Sequence, residues 1–419
     1  MKKILKYTLP AACILALTAA CSEKIDPVSV PETDGPEIRF SVEQAEAGTK
    51  GLINPTTPAS GTTPADYGLA VKGTQLHVVD ILTGFYGTVN GVTSTADEPK
   101  ALTYIDGTLE YSSDTPGQKN EDYWQFVSPA PKYYRWTKTG THTFFGYLTK
   151  DPEGSTFTAA KMGTGTNTKK LFVGSGTNGT DPLELKPATT LQFDLLFSDI
   201  VTRDAAVAAD HAVVPFAMKH LFTALAVDVV NATGEEITNL SVTFTKMHPK
   251  QSATIDWGTP LAADANGMVY PTVAYSPTLA EQATVTPENM TVGTLDSVPV
   301  STILEPVPEH FYDGEYRLLW PQAILAPVAA TENAAAVSGS EVSVTYTGCT
   351  VARTANLSDL KDSNENPITT FEAGKKYLLT ITITPLEVRF NIIVTDLVNR
   401  NNPDNPSGSY NGETFYFES

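Results

Sequence analysis

The sequence predicts an all-β protein built from β-sandwiches, and three observations carry that expectation. Short runs alternate apolar and polar residues, as in GLAVKGTQLHVVDIL, THTFFGYL, LSVTFTKM, EVSVTYTG, KKYLLTITI and EVRFNIIVTDL, which is the period-2 pattern of half-buried strands. Turn formers separate them, with 29 Gly and 29 Pro in the chain, as sandwiches of many short strands require. Helical periodicity is scarce: DAAVAADHA (204–212) is the best helical candidate, and AATENAAAV (329–337) a weaker one. There is no fixed-period repeat, which excludes a solenoid or propeller.

The front of the chain, MKKILKYTLPAACILALTAACSEK, has a positive start and a 13-residue, mostly apolar run from Thr8 to Ala20. That run is too short for a spanning helix, which needs about 20 residues, and reads as a secretory signal over 1–20. Small residues lead directly to Cys21, so the stretch resembles a bacterial lipobox, although Leu17 sits one place early and Thr18 holds its position. Cys21 is then the lipidated residue, and the lipid holds the precursor to the outer membrane. Of the three cysteines, Cys13 leaves with the signal and only Cys349 remains, unable to form an internal disulfide. It is expected as a small buried hydrophobe.

The chain carries 28 Lys and Arg against 47 Asp and Glu, for a net charge of −19. That excess of acid argues against a nucleic-acid partner, which needs basic patches. Residues 21–50 read as a tether followed by a strand. Within IRFSVEQAEAGTKG, Ile38, Phe40 and Val42 alternate with Arg39, Ser41 and Glu43, and a small polar stretch then runs to Lys50 and Gly51. The remaining chain, roughly 370 residues from position 51 onward, is enough for two domains, expected at 51–205 and 206–398. Three stretches, 51–66, 149–190 and 258–300, read as long and irregular. The tail at 399–419 runs through NRNNPDNPSGS to YNGETFYFES, where Phe415 and Phe417 alternate with polar neighbours.

No catalytic pattern is present. G-x-S-x-G, H-E-x-x-H and the Gly-Lys phosphate loop are all missing, so the chain is expected to be no enzyme and to need no cofactor or metal. The six histidines (77, 142, 211, 220, 248 and 310) lack metal-ligand spacing, and His220 in FAMKHLF reads as a core or inter-domain residue. Asp362 to Asn366 resembles the start of a calcium loop, but Pro367 and Ala373 stand where that loop needs Gly and Glu, so an Asx-rich turn is expected. EDYWQF (121–126) with KYYRWTK (132–138) could make an aromatic platform for sugars, although core stacking is the commoner use of such rings. Asp296-Ser297-Val298 resembles a short O-glycosylation sequon of Bacteroidetes.

A set of landmarks in order suggests a family. Tyr133-Tyr134-Arg135-Trp136, a turn at Gly140 and Thr143-Phe144-Phe145-Gly146-Tyr147 resemble the aromatic hairpin of fimbrillin-like proteins. Asp194 to Ser198 followed by Val214 to Phe222 resembles that family's D-L-L-x-A … V-x-L-x-F-x-H pair. Leu318 to Gln322 resembles its L-x-x-P-Q strand, and Phe371 to Tyr377 its L-x-A-G-x-x-Y approach to the last hairpin. Asp396-Leu397 stands where many members close on Asp-Trp. The resemblance implies a type V pilin with two tandem transthyretin-like β-sandwich domains. It also implies a lipoprotein precursor at the outer membrane, a trypsin-like Arg/Lys-specific protease that cuts after a basic residue, and release of the first strand. A neighbouring subunit's strand then fills the vacated groove, and the protein passes to an extracellular fimbria of its own copies and accessory subunits. Lys50–Gly51 is the expected cut, Ile38, Phe40 and Val42 the released strand, and Phe415 and Phe417 the candidate donor strand. A stalk subunit supporting adhesion is the leading reading. The alternatives are the membrane anchor of the fimbria, which keeps its lipid and is not cut, and a glycan-binding surface lipoprotein.

Overall fold

The structure is a computed structural model. It describes residues 35–44, 73–112, 124–128, 133–150, 160–174, 183–184, 195–247, 250–276, 288–301, 324–326, 340–362, 366–368, 371–373 and 375–396. The fold is all-β. Among the described residues the helical elements are short 3₁₀ turns at Gly165–Asn167, Ala208–His211 and Leu357–Asp359. The helix expected over 204–212 is reduced to one of these. Asp204 ends a strand, its Oδ1 accepts from the Ala206 N–H at 2.9 Å, and Val207 is extended (φ −100, ψ 107). The remaining four residues are too few to repay helix nucleation. The weaker helical candidate at 329–337 lies outside the described residues.

The largest sheet orders its strands Phe40–Gln44, Val214–His220, Leu196–Ser198, Thr141–Lys150, Gln75–Thr83, Ala101–Tyr111 and Trp124–Ser128, with Val201–Asp204 also pairing to Thr141–Lys150. Both faces of its centre are covered. On one face Phe145 stacks on Trp257 of a second sheet, with ring centroids 4.8 Å apart. On the other lie Leu76, Val78, Leu82 and Phe144, all fully buried. The Phe40 ring of the sheet's first strand lies edge-on to the Phe126 ring of its last, 6.0 Å away. Gly140 (φ 103) makes the turn into the central Thr141–Lys150 strand, where an added Cβ would lie 2.9 Å from the Thr83 carbonyl oxygen.

The second sheet is Leu183–Glu184, Lys250–Pro260, Lys170–Val173 and Ala160–Met162, with Pro271–Ser276 on the far side of Lys250–Pro260. Several of these strands fall in the stretches expected to be irregular, as does Glu288–Val298. Apart from Lys170–Val173, whose Leu171 and Val173 turn inward, these runs lack a clear apolar alternation, and backbone pairing to a neighbour makes them strands.

A separate core is built by two four-stranded sheets. One orders Ile324–Ala326, Thr223–Asn231, Lys375–Ile383 and Val388–Asp396, and the other Glu288–Val298, Ile237–Met247, Glu341–Thr345 and Arg353–Asn356. Between them lie Val227, Leu240, Val242, Phe244, Val342, Val344, Leu379, Ile381 and Phe390. The two cores interleave along the chain. The first extends to Tyr275, while the second begins at Val227. The hairpin of 250–276 returns to the first core because Ala253 to Asp256 pair with Val173 to Lys170. Cys349 is half-exposed rather than buried, with its Sγ hydrogen donated to the Val351 carbonyl at 2.9 Å. The preceding turn keeps it at the surface.

Candidate functional site

Residues 35–44 are held in two ways. The leading arm pairs with the 134–136 segment: the Ile38 N–H donates to the Tyr134 carbonyl at 2.8 Å and the Trp136 N–H to the Pro36 carbonyl at 3.0 Å. The Arg135 guanidinium adds a bond to the Gly35 carbonyl at 3.2 Å. The chain then turns its edge to Val214–His220 and runs parallel to it, from Phe40 opposite Val214 to Gln44 opposite Met218. The Val214 N–H donates to the Arg39 carbonyl at 2.8 Å. Among the described residues the strand has one sheet neighbour, so it is an edge strand.

The period-2 alternation of the sequence decides which side chains enter the core. Ile38, Phe40 and Val42 are 3%, 1% and 6% exposed, whereas Pro36, Glu37 and Arg39 face solvent. Phe40 is the central plug. Its ring stacks on Phe216 at 5.9 Å and meets Phe126 and Phe144 edge-on at 6.0 and 5.9 Å. Each of these burials is worth about 1.5–3 kcal/mol gross, so removing the strand would leave an apolar groove and the unpaired edge of Val214–His220, a template for another strand. Gly35 fits where no other residue would, because an added Cβ would stand 2.4 Å from the Trp136 carbonyl oxygen.

Beneath Trp136 lies a polar array that the sequence did not disclose. His142 Nδ1 is 2.5 Å from Asp80 Oδ2, and His142 Nε2 is 2.9 Å from Thr137 Oγ1. The Thr137 hydroxyl donates to the Thr139 carbonyl, and the Thr143 N–H donates to Asp80 Oδ1. With the Thr137 proton so committed, Nε2 is the donor to Thr137 and a second proton lies between Nδ1 and Asp80. Burial pushes the Asp80 carboxyl above its ordinary range, against the pull of its hydrogen bond and charge interaction with His142. The order Thr–His–Asp is that of a hydrolytic triad. However, Thr137 is 2% exposed and His142 and Asp80 are fully buried, so no substrate can reach the hydroxyl. The array is structural. It seats His142 against Phe144 (stacked, 5.5 Å) and Trp136 (edge-on, 5.2 Å), and Trp136 is the residue that receives the first segment. Only the residue types could have hinted at this; the spacing of 80, 137 and 142 carries no local motif.

Of the site residues expected from the sequence, the structure brings Ile38, Phe40 and Val42 together in one core. Cys21, Lys50, Gly51, Phe415 and Phe417 lie outside the described residues. The aromatic platform does not form as an open surface. Trp124 and Trp136 are 7% and 0% exposed, and only Tyr133, beneath the Arg135 guanidinium at 5.2 Å, is well exposed; Tyr123 lies outside the described residues. The reason is that Trp124 lies inward on an edge strand against Tyr111, at 5.3 Å. His220 is buried in the first core opposite Leu196. Asp362 and Asn366 form the expected Asx turn, the Asn366 N–H donating to Asp362 Oδ1 at 2.8 Å. No cluster of three metal-ligating side chains occurs among the described residues.

Comparison with known proteins identifies a family model, described as fimbrillin-like, that matches residues 86–397. No curated protein matches. Among solved structures, a candidate cell adhesion protein from Bacteroides uniformis is 12% identical, with 86% of this chain and 98% of that one covered at a TM-score of 0.42. A fimbrial protein from Bacteroides vulgatus is 13% identical, with 86% and 99% covered at 0.37. A fimbrial assembly protein from Parabacteroides distasonis is 11% identical, with 92% and 100% covered at 0.32.

Proposed function

This chain belongs to the fimbrillin-like family, and from that premise we propose that it is the stalk subunit of a cell-surface fimbria that polymerises by strand exchange. In this reading the precursor is exported as a lipoprotein on Cys21 and reaches the outer membrane. A trypsin-like protease cuts between Lys50 and Gly51, and the segment carrying Ile38, Phe40 and Val42 departs. A strand of a neighbouring copy, ending in the Phe415 and Phe417 region, takes its place. The fibre supports adhesion, and its chemistry is assembly rather than catalysis.

The single observation that carries the reading is the position of the first strand. It is an edge strand, paired in parallel to a partner far away in the sequence, yet it supplies the central aromatic plug of a core. Before the cut, covalent linkage keeps the strand at a high effective concentration beside its groove. After the cut it is held only by hydrogen bonds and apolar contact, and dilution favours its loss. An incoming strand regains the same backbone bonds and fills the same pockets. Arg39, the other basic residue of the segment, is held in backbone pairing through its carbonyl, which directs cleavage to Lys50.

The test is to treat the chain from Cys21 onward, prepared without lipid, with trypsin. The expected result is a dominant Gly51 N-terminus and polymers by electron microscopy. A resistant Lys50 bond with lipid retained would point to the anchor subunit instead, and cut protein that stays monomeric would overturn strand exchange. The glycan-binding alternative is not favoured, since the rings that motivated it are buried.

A further inference from the structure

The first segment and the tail share a pattern that the structure makes interpretable. Of the 29 glycines in the chain, only Gly35 and Gly412 are followed by an apolar residue three places on and Phe five places on. The first run is Gly35-Pro36-Glu37-Ile38-Arg39-Phe40, and the second is Gly412-Glu413-Thr414-Phe415-Tyr416-Phe417. We infer that residues 412–417 of a second copy seat in the vacated groove in one register only, with Gly412 in the place of Gly35, Phe415 in that of Ile38 and Phe417 in that of Phe40. The inference rests on the strand-exchange reading above and adds to it the residues that select the register.

Each position has a physical reason. The Gly35 site admits no Cβ, because one would lie 2.4 Å from the Trp136 carbonyl oxygen and 2.8 Å from the Trp136 Cβ. The Ile38 site is 3% exposed and takes an apolar residue. The Phe40 site is lined by the rings of Phe126, Phe144 and Phe216 and accepts an aromatic ring without a cavity. Arg39 points outward, so Tyr416 would stand at the surface. The bonds from Trp136, Val214 and Ile38 are all made to or from backbone atoms, which any donor sequence supplies.

The other registers fail. A shift of one residue puts Phe415 at the solvent-facing Glu37 or Arg39 position, and in the second case it also brings Asn411 to the Gly35 site and Thr414 to the buried Ile38 site. A shift of two that puts Phe415 on Phe40 brings Glu413 to the buried Ile38 site and Tyr410 to the Gly35 site. The opposite shift brings Thr414 to the Gly35 site. Two mismatches remain in the chosen register: Glu418 falls at Ser41 and Ser419 at Val42, both 6% exposed, so the seated stretch is effectively the six residues from Gly412 to Phe417.

The test uses the chain from Cys21 onward, cut after Lys50, with polymer yield read by sedimentation. Gly412→Val and Phe417→Ala should each lower the yield by at least about tenfold, as loss of a central anchor does. Tyr416→Ala should leave it within about twofold. Uncut forms that melt with the wild type establish that these variants fold; should Gly412→Val fail there, Phe417→Ala decides alone. If the wild type polymerises and both variants polymerise equally well, the register is wrong while strand exchange stands. If the cut wild type does not polymerise, strand exchange itself fails and the register with it. If it stays monomeric with its own tail protected from carboxypeptidase, the occupant is the same chain, which overturns the assignment to a second copy.

Discussion

Two edge strands of this molecule bury nearly the same side chains and are tied in by opposite means. The first strand sends Ile38, Phe40 and Val42 into one core; Val388–Asp396 sends Val388, Phe390 and Ile392, at 5%, 6% and 3% exposure, into the other. Yet Val388–Asp396 is antiparallel to Lys375–Ile383 and joined to it by a tight turn, in which the Thr384 N–H donates to the Glu387 carbonyl at 2.9 Å. The first strand is parallel to Val214–His220, a pairing that a short turn cannot make. In the strand-exchange reading, a strand's apolar content would therefore not be enough to make it exchangeable. The connection would decide, because one cut in a long link would free a strand that a hairpin would retain.

The sharpest way to break this comparison is to cut the hairpin. A site-specific protease sequence inserted between Pro385 and Leu386 (Leu386 is 92% exposed) should make Val388–Asp396 as releasable as the first strand. At micromolar protein, losing a millimolar effective concentration costs about 4 kcal/mol, read as loss of unfolding cooperativity in the second core on dilution. If the cut hairpin stays fully stable, the connection is not what distinguishes the two strands.

Phe40→Ala and Phe390→Ala should each destabilise the uncut chain by about 3–4 kcal/mol in denaturant unfolding. The two should diverge after cleavage at Lys50. Phe40→Ala should then speed departure of the 21–50 segment by about a hundredfold or more, whereas Phe390→Ala should leave that rate unchanged.

Alkali acts on the second core through a buried tyrosine. Burial pushes the Tyr377 hydroxyl of the second core up to about 12, opposed by the bond from the Glu372 N–H and aided by the nearby Glu372 and Asp362 charges. Its folded value lies above the ordinary 10, so its contribution is intact below pH 10 and is lost as pH rises through 12. The loss is about 2–3 kcal/mol, and Tyr377→Phe should remove that pH dependence. The smallest effect is that of Arg135→Ala, which deletes the exposed bond to the Gly35 carbonyl. It should cost about 0.5–1 kcal/mol and modestly speed release of the first segment without altering the second core.

Much of this site could be read before any fold was known. The alternation of Ile38, Phe40 and Val42 marked them as core residues, and the buried pattern agrees. The landmarks from Tyr133 to Tyr377 pointed to the family that the matched residues show. The misreadings have physical causes. Trp124 and Trp136 left a sugar platform open beside the commoner core stacking, because an aromatic side chain serves both and only its neighbours decide; both are buried, in line with core stacking. The strands at Ala160–Met162 and Pro271–Ser276 were hidden because their pairing is made by backbone, which every sequence carries.

By itself the sequence determined which residues of the first strand turn inward, since a period of two is a local property of extended chain. It also determined that the chain would be built of strands, because turn formers interrupt every alternating run. The tertiary structure alone decided the partner and direction of the first strand, the ring cluster around Phe40 and the meeting of Asp80, Thr137 and His142. These depend on pairings between residues far apart in the chain, as in Phe40 with Val214, and such pairings leave no mark on the local pattern of either partner.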